Sequence, residues 1–399
     1  MSSSFFEFSD AENMSKQPVD ADRTMDLVST RTWSGPHSAV SIKADNDYCV
    51  DYEILVKENY FKRDDQLRYC RTLGSGGQGK VFLIEQLGED NFVLPVAIKF
   101  FSPYKYKTTD DYIAAMRQMA AVAMKVCRIQ HDNLVDVRNW WANRNIRVME
   151  MEWIDGYDLS VLLNLRSLEN IEKKIKNEKR LNDMNRITVT RGEVSAKVKP
   201  GVAVGIVREC LAGLAALHRH GIVHGDIKPG NIMLKRTGSA KIIDINSARD
   251  MSVPASSLSY TPLYAAPEVV LDQTFSPQSD LASLGYVLLE MLAGRSPFYG
   301  TKTIDDQLKI KRELGARIRD YLPEDVAMSD DLVSFCLGLI HPDPAKRYSD
   351  AEAADLTRNG AASFLRGLVR GELSCEYSNE IRLWVEEMPV IFTPSEHRP

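Results

Sequence analysis

Hydrophobic and polar positions follow two different patterns along this chain, and the change falls close to residue 155. Before that point, short apolar runs are separated by polar turns, which is typical of β-strands. One segment in this part, residues 112–130, instead has apolar side chains every three or four positions and predicts a helix. Five further segments predict the strands of a small antiparallel sheet: 69–73, 80–86, 93–101, 134–141 and 145–153.

Beyond Asp155 and Gly156 the apolar spacing becomes that of helices. The clearest predicted helices are 202–220, 280–293, 331–340 and 350–357. The pattern therefore predicts an α+β protein, with a sheet-containing lobe at residues 66–154 and a mostly helical lobe at residues 155–358.

Two extensions flank this predicted body. Residues 1 to about 45 are rich in Ser, Asp, Thr and Asn without periodicity, so we expect the N-terminal extension, 1–65, to be largely disordered. Its last part, about 46–65, has enough apolar residues to form a short strand or helix that docks on the domain. The C-terminal extension, 359–399, has many large apolar side chains, and we expect it to pack on the domain or on a partner.

An insertion is predicted near residues 165–200, between two helices of the second lobe. It begins with a run rich in Lys and Glu, and its end could form a hairpin around Arg191 and Gly192. Two interpretations stay open: a tolerated surface loop, or a docking element for a regulatory partner.

Composition excludes several classes. The chain has 399 residues and a formal net charge of −5, which allows two lobes and does not suggest a nucleic-acid-binding surface. Its six cysteines are scattered without a CxxC pair, which argues against a zinc site and fits a reducing compartment. We find no secretory signal and no apolar run long enough to span a bilayer. We therefore expect a cytoplasmic protein with no nucleic-acid or membrane partner.

The motif HGDIKPGN at residues 224–231, followed by Asp244, carries the most informative chemistry. Phosphoryl transfer needs an acid that receives the acceptor hydroxyl, a cation that steadies the moving phosphate, and oxygen ligands for the metal ion on the nucleotide. Asp226 would be the acid and Lys228 the cation, while Asn231 and Asp244 would bind the metal.

These residues resemble the catalytic loop and metal-binding segment of eukaryotic-type (Hanks-type) Ser/Thr protein kinases, over roughly residues 66–358. The resemblance implies a two-lobed protein-kinase fold, with a five-stranded N-lobe that has one main helix and a mostly helical C-lobe. It also implies ATP as co-substrate, Mg²⁺ or Mn²⁺ as cofactor, and a protein substrate. Lys228, two residues after Asp226, is the arrangement of Ser/Thr kinases rather than tyrosine kinases.

Further motifs predict the nucleotide site. The segment GSGGQGKV at residues 74–81 fits a glycine-rich loop that closes over phosphates, and the strand pattern after it disfavours a dinucleotide-binding loop. Lys99, in VAIK, would bind the α- and β-phosphates, and residues 149–156 resemble the hinge that binds adenine. The resemblance assigns the ATP contacts to Leu73, Gly74, Gly76, Gly79, Val81, Ala97, Lys99, Met151, Glu152, Ile154 and Met233.

The segment YTPLYAAPE at residues 260–268 resembles the one that receives the substrate peptide. Within it, Glu268 would form a buried structural pair with Arg347, and Asp280 would anchor the catalytic-loop backbone. The predicted catalytic residues are Asp226, Lys228, Lys99 and Thr261, of which Thr261 would bridge Asp226 and Lys228.

The chain departs from the family pattern at three places. Residues 112–129 contain no acid, so Lys99 lacks the usual helix glutamate, and its partner could be Gln118, Asp244, the nucleotide or an acid from outside the lobe. Gly225 replaces an arginine that normally binds the phosphate of the activation segment, so control by phosphorylation there should be weak. Asn246 replaces the glycine of Asp-Phe-Gly, and asparagine tolerates a left-handed backbone better than most residues.

An active Ser/Thr protein kinase is the leading hypothesis. A pseudokinase that acts as a nucleotide-binding or scaffolding module is the second, because of the three departures. A small-molecule kinase of related fold is the third, and the peptide-binding segment argues against it.

Overall fold

The N-terminal part of the structure, a computed structural model, is built around one antiparallel sheet. The structure describes residues 31–33, 47–57, 66–253, 258–370 and 377–392. The elements before residue 155 are β1 (Arg31–Trp33), α1 (Asp47–Leu55), β2 (Leu67–Gly76), β3 (Gly79–Leu87), β4 (Val93–Phe101), α2 (Thr109–Val126), β5 (Val137–Asn143) and β6 (Ile146–Glu152). Strands β2 to β6 form the sheet in the order β2-β3-β4-β6-β5. The predicted five-stranded sheet is therefore confirmed.

Strand β4 lies at the centre of this sheet and buries every side chain from Val96 to Phe101. Successive side chains of a strand point to opposite faces. Ile98 and Phe100 join an apolar cluster on one face, and Ala97 and Phe101 join the main core on the other. Lys99 alternates with Ile98 and Phe100, so the strand directs its side chain to the face that carries Ala97 and Phe101.

Helix α2 begins earlier than the apolar spacing predicts. Thr108 accepts a hydrogen bond from the backbone of Asp111, and the Asp111 side chain accepts one from the backbone of Thr108. This capping box fixes the start at Thr109, and the helix ends at Val126 instead of continuing to residue 130. The box is visible in the sequence as a Thr followed three residues later by an acid, a signal that the apolar periodicity does not include.

The C-terminal part is mostly helical. Its first elements are β7 (Gly156–Asp158), α3 (Leu159–Leu162), α4 (Leu165–Lys174), α5 (Glu178–Ile187), β8 (Val189–Arg191), β9 (Ala196–Val198), α6 (Pro200–Arg219), β10 (Ile222–Val223), β11 (Ile232–Lys235), β12 (Ala240–Ile242), β13 (Arg249–Asp250) and β14 (Leu258–Tyr260). The later ones are α7 (Pro267–Asp272), α8 (Pro277–Ala293), α9 (Ile304–Glu313), α10 (Ile318–Tyr321), α11 (Glu324–Ala327), α12 (Asp330–Ile340), α13 (Ala351–Leu356), α14 (Ala361–Arg370) and α15 (Tyr377–Glu386). Together with the sheet, this confirms the predicted α+β, two-lobed fold.

Helices α6 and α8 form the centre of the C-lobe core, and most of their residues are buried. Among the described residues, α6 alone is long and apolar enough to cross a membrane, by length and composition. About three quarters of its most apolar window, 72%, is buried inside the protein, as in any helix at the centre of a core.

The N-terminal extension is described only at residues 31–33 and 47–57. Helix α1 packs Tyr52 and Leu55 against the sheet face that carries Ile98 and Phe100, so the docking element expected at about 46–65 is a helix. The short strand β1 pairs antiparallel with β14. The expectation of disorder for the rest of residues 1–65 falls outside the described residues.

The insertion contains two helices, α4 and α5, followed by the β8–β9 hairpin that the sequence predicts. It contacts the C-terminal extension: Thr188 Oγ1 donates to Glu380 Oε2 at 3.0 Å, and Arg180 pairs with Glu387. In that extension α14 and α15 pack on α6, and α15 buries Ile381, Trp384 and Val385. The extension therefore packs on the domain, one of the two outcomes that its apolar content predicts.

Candidate active site

The catalytic-loop backbone is fixed by Asp280 at the start of α8. Its carboxylate accepts hydrogen bonds from the backbone N–H groups of His224 and Gly225, each at 2.8 Å, and lies 2.9 Å from His218 Nε2. Gly225 has φ of +74°, and an added Cβ would lie 3.0 Å from the Ser247 carbonyl oxygen. This left-handed backbone gives a local physical reason for glycine at this position.

Asp226 is the centre of a buried polar cluster. One carboxylate oxygen, Oδ1, accepts the backbone N–H of Thr261 at 2.8 Å. The other, Oδ2, lies 3.0 Å from Lys228 Nζ and accepts from Asn231 Nδ2 at 3.2 Å. Lys228 Nζ also donates to Thr261 Oγ1 at 2.9 Å. The structure thus brings Asp226, Lys228, Thr261 and Asn231 together, with Thr261 bridging Asp226 and Lys228.

Lys99, which lacks a helix glutamate, pairs with an acid from the other lobe. Its Nζ lies 3.1 Å from Asp244 Oδ1, and its side chain is 8% exposed. Burial opposes the ionisation of Asp244, but the nearby ammonium groups of Lys99 and Lys228 outweigh it and hold the pKa of that carboxyl below its usual value. Asp244 is therefore the candidate partner that the structure places in contact with Lys99.

The left-handed backbone position in the Asp244–Asn246 segment belongs to Asp244, with φ of +63°, and not to Asn246. The tolerance of asparagine for a left-handed backbone is therefore not used at Asn246. Its side chain has a different role: Nδ2 donates to the side-chain oxygen of Gln78 at 2.9 Å, and Gln78 in turn donates to Ser259 Oγ at 2.9 Å. These contacts connect the tip of the glycine-rich loop to Asn246 and to Ser259 on β14.

A cleft of about 510 Å³ lies between the lobes. Eleven of the predicted residues line it: Leu73, Gly74, Val81, Ala97, Lys99, Met151, Glu152, Ile154, Met233, Asn231 and Asp244. The volume lies within the ~300–1,000 Å³ that small-molecule sites usually have. The cleft can therefore accept a ligand of nucleotide size.

The other predicted residues lie outside the cleft lining. Gly76 and Gly79 pair with each other at the turn of the glycine-rich loop, where an added Cβ on Gly79 would collide with the Phe100 carbonyl. Asp226, Lys228 and Thr261 form their cluster next to Asn231, which does line the cleft. Asn231 thus connects the nucleotide side of the site to the catalytic cluster.

At the hinge, the backbone N–H of Glu152 donates to the Asp136 carbonyl at 2.9 Å. That N–H is therefore not available to a base, and a contact from Glu152 to adenine would have to use its carbonyl oxygen. The Glu152 carboxylate points elsewhere, because it pairs with Lys241.

Asn231 and Asp244 fit the metal that the resemblance implies. Asn231 uses its amide nitrogen on Asp226, which directs its carbonyl oxygen away from that residue. An amide oxygen and a carboxylate are hard ligands of the kind that Mg²⁺ prefers, and two protein ligands suit an ion that is shared with phosphates. The described residues hold no group of three or more His, Cys, Asp or Glu side chains that could bind a metal without a nucleotide.

The predicted Glu268–Arg347 pair is present and supports the peptide-binding segment. Arg347 Nη1 and Nη2 donate to the two carboxylate oxygens of Glu268 at 2.6 and 2.8 Å, and the Arg347 side chain is fully buried. Such a two-point pair fixes both side chains. It connects α7 to the loop before α13 and does not touch the cluster around Asp226.

Two ionisable groups, Lys311, which is buried, and Glu290, which is half-buried, also contact the peptide-binding segment. Lys311 of α9 donates to the Pro262 carbonyl at 2.6 Å, and burial lowers its pKa to about 7. Glu290 of α8 accepts from the Tyr264 hydroxyl at 2.6 Å, and burial raises its pKa to about 7. Sequence reasoning gives no role to either residue, because nothing in the local pattern marks Lys311 as buried.

Sequence reasoning also missed Arg71 and Ile391, which line the mouth of the cleft. Arg71 Nη1 donates to the Ile391 carbonyl at 3.2 Å, across a separation of 320 residues in the chain. Neither residue belongs to a recognisable motif. The apolar content of the C-terminal extension was the available signal, and it indicates packing without indicating where.

Comparison with known proteins agrees with this geometry. The model of the protein kinase domain family matches residues 67–357. A probable serine/threonine-protein kinase PknB of Lactococcus lactis is 27% identical over 72% of this chain and 40% of its own length. Serine/threonine-protein kinase PrkC of Bacillus subtilis is 25% identical over 71% of this chain and 38% of its own length. Serine/threonine-protein kinase PknL of Mycobacterium tuberculosis is 28% identical over 71% of this chain and 63% of its own length. The alignments thus span less than two thirds of these relatives.

Proposed function

Because this chain belongs to the protein kinase domain family, of the Hanks type, we propose that it transfers the γ-phosphate of ATP to serine and threonine hydroxyls of a protein substrate. The observation that carries the proposal is the cluster around Asp226. An acid that contacts Lys228 at 3.0 Å and the Thr261 backbone at 2.8 Å is placed between a phosphate-binding cation and the peptide-binding segment.

Each residue has a defined task in this proposal. Asp226 orients the acceptor hydroxyl and receives its proton, and Lys228 stabilises the charge on the moving phosphoryl group. Thr261 positions both side chains and adjoins the substrate peptide. Lys99 binds the α- and β-phosphates at the other end of the cleft.

Protein kinases use a divalent metal, and we propose Mg²⁺ or Mn²⁺ here, with Asn231 and Asp244 as its protein ligands. When bound, such an ion neutralises negative charge on the phosphates. Lys99 and Lys228 lower the pKa of the Asp244 carboxyl despite its burial, which favours the anionic form that a metal ligand needs. Five described cysteines are free thiols, which supports a reducing compartment such as the cytoplasm as the place of action.

The test is intact mass after incubation with ATP and Mg²⁺, on the chain itself and on a basic protein substrate, with identification of the phosphorylated residue. We expect phosphoserine or phosphothreonine. Asp226→Asn should reduce the transfer rate by about 10²-fold or more and leave ATP binding nearly unchanged, because this acid acts on the proton rather than on the nucleotide. Asp244→Ala should abolish metal-dependent transfer.

A nucleotide-binding pseudokinase is the second candidate, favoured by the side chain of Gln78, which fixes the glycine-rich loop to Asn246 and Ser259. A wild-type protein that binds ATP with Mg²⁺ but phosphorylates neither itself nor a protein substrate would favour that candidate over the kinase. A mass gain on a metabolite alone would instead favour a small-molecule kinase.

A further inference from the structure

The C-terminal strap, defined here as residues 387–392, leaves helix α15 and runs along the hinge side of the cleft. Three side chains of the C-lobe bind its backbone or the end of α15. Arg236 Nη1 donates to the Val385 carbonyl at 2.9 Å, Tyr157 Oη donates to the Pro389 carbonyl at 2.9 Å, and Lys174 Nζ donates to the Glu387 carbonyl at 3.0 Å. The path of the strap is thus fixed by bonds to backbone carbonyls, which do not depend on the identity of its side chains.

The end of the strap reaches the other lobe. The Ile391 carbonyl accepts from Arg71 Nη1 at 3.2 Å, and Arg71 lies on β2, the strand that leads into the glycine-rich loop. The ring of Phe392 meets the ring of Trp153 edge to face, with centroids 5.4 Å apart. The strap therefore connects the hinge and the N-lobe sheet across the open edge of the cleft.

Ile391 lines the same cleft as the predicted adenine contacts, and its neighbour Phe392 packs on the hinge residue Trp153. Lys99 and Asp244 mark the phosphate end of the same lining, whereas the strap contacts Arg71, Trp153 and Tyr157. The cleft retains about 510 Å³ with the strap in place, so the strap forms a wall and does not fill the site.

We propose that the strap completes the base and ribose end of the nucleotide site, so that tight binding of an adenine nucleotide requires the C-terminal extension. Ile391 covers the bound base from the open side, and Arg71 fixes the strap to β2. The inference rests on the ATP site of the proposed function, but it concerns binding and does not require phosphoryl transfer.

The experiment measures the dissociation constants of ATP, ADP and tripolyphosphate, each with Mg²⁺, by calorimetry. It compares the full chain with a chain that ends at Val390 and with the variants Ile391→Ala and Arg71→Gln. Val390→Ala is the matched control, because Val390 lies in the strap and its side chain points to solvent, with 66% exposure.

Ile391→Ala and the chain that ends at Val390 both remove the large apolar side chain that covers the base, and each should weaken ATP binding about tenfold. The affinity for ADP should fall by the same factor. The affinity for tripolyphosphate should not change, since the strap contacts the base end only. Arg71→Gln should weaken ATP binding in the full chain, and it should have little further effect in the chain that ends at Val390. The dissociation constant of ATP for Val390→Ala should stay within about twofold of the wild-type value.

Equal ATP affinity in the full and shortened chains would overturn the inference, and so would tighter binding by the shortened chain, which would make the strap an inhibitor. A full chain that does not bind ATP would also overturn it. A chain that binds ATP with the expected dependence on the strap but transfers no phosphate would contradict the proposed function alone. Thermal unfolding of each variant identifies any loss of affinity that comes from misfolding.

Discussion

The ammonium group of Lys99 is stabilised by a residue of the opposite lobe. A buried ammonium without a partner is costly, and the helix that would normally supply an acid has none among residues 112–129. Asp244 therefore has two tasks in the proposed enzyme: it binds the metal ion, and it pairs with Lys99 at 3.1 Å. A kinase with a helix glutamate could separate these tasks, whereas in this chain they are linked.

The first prediction is a double-mutant cycle with Lys99→Met and Asp244→Asn, measured by urea unfolding without nucleotide. We expect a coupling free energy of about 1–2 kcal/mol, because one partner is buried and the other, at 30% exposure, is partly screened by solvent. The pair Arg186–Asp183, with side chains 75% and 47% exposed, is the control and should give a coupling near zero. If both cycles give the same value, another group must stabilise Lys99.

At the scale of elements, helices α8 and α9 support the peptide-binding segment through two ionisable side chains, the half-buried Glu290 and the buried Lys311. Lys311 of α9 is 1% exposed and lies 4.9 Å from the centroid of the Phe298 ring. Its amine donates to the Pro262 carbonyl whether it is charged or neutral. The geometry of the segment thus survives deprotonation, while the free energy of unfolding depends on pH.

The second prediction concerns that dependence. Below about pH 7 Lys311 is protonated in both the folded and the unfolded state. Above that pH the folded state loses the proton, whereas the unfolded chain keeps it up to the usual lysine pKa, about 10.4. The unfolded state then binds more protons, so the contribution of Lys311 to the unfolding free energy rises with pH in this window. The contribution of Glu290 to the unfolding free energy falls as the pH rises, and this fall ends near the pKa of Glu290, about 7.

The measurement is urea unfolding at several values between about pH 7 and about pH 9. Lys311→Met should reduce the rise in unfolding free energy relative to wild type. Lys309→Met is the control, because Lys309 is exposed on the same helix, and its pH profile should match wild type. A Lys311→Met profile parallel to that of wild type would contradict the assignment of a low pKa to Lys311.

The elements show what sequence reasoning can and cannot reach. The sheet, helix α6 and the β8–β9 hairpin follow from local periodicity and turn residues. The cluster around Asp226 follows from two motifs, at residues 224–231 and 260–268. The partner of Lys99 could be narrowed only to four candidates, because it depends on how the lobes meet. The contact of Arg71 with Ile391 had no local signal, since it arises from packing between residues 320 positions apart.

At the scale of the whole molecule, the insertion and the C-terminal extension act as one packed unit. Arg180 and Lys174 of the insertion both contact Glu387, and Thr188 bonds Glu380 of α15. Gly201 at the start of α6 lies under Tyr377, and an added Cβ would come within 2.3 Å of that ring. The insertion is thus neither a free loop nor a fully exposed docking element, because part of its surface is covered within the chain itself.

The third prediction compares two shortened chains. A chain that ends at Arg370 loses α15, whose Ile381, Trp384 and Val385 are at most 1% exposed. Each large apolar side chain that is fully buried contributes roughly 1.5–3 kcal/mol, so the unfolding free energy should fall by several kcal/mol. Hydrogen exchange should become faster in α5 and in the first turns of α6, which the extension covers. A chain that ends at Val390 keeps α15, so its unfolding free energy should fall by less than about 0.5 kcal/mol, although its ATP affinity falls.

The two ends of the extension therefore have separable effects, one on stability and one on binding. Unchanged exchange in α5 and α6 after truncation at Arg370 would show that these helices are stable without α15, contrary to a single packed unit.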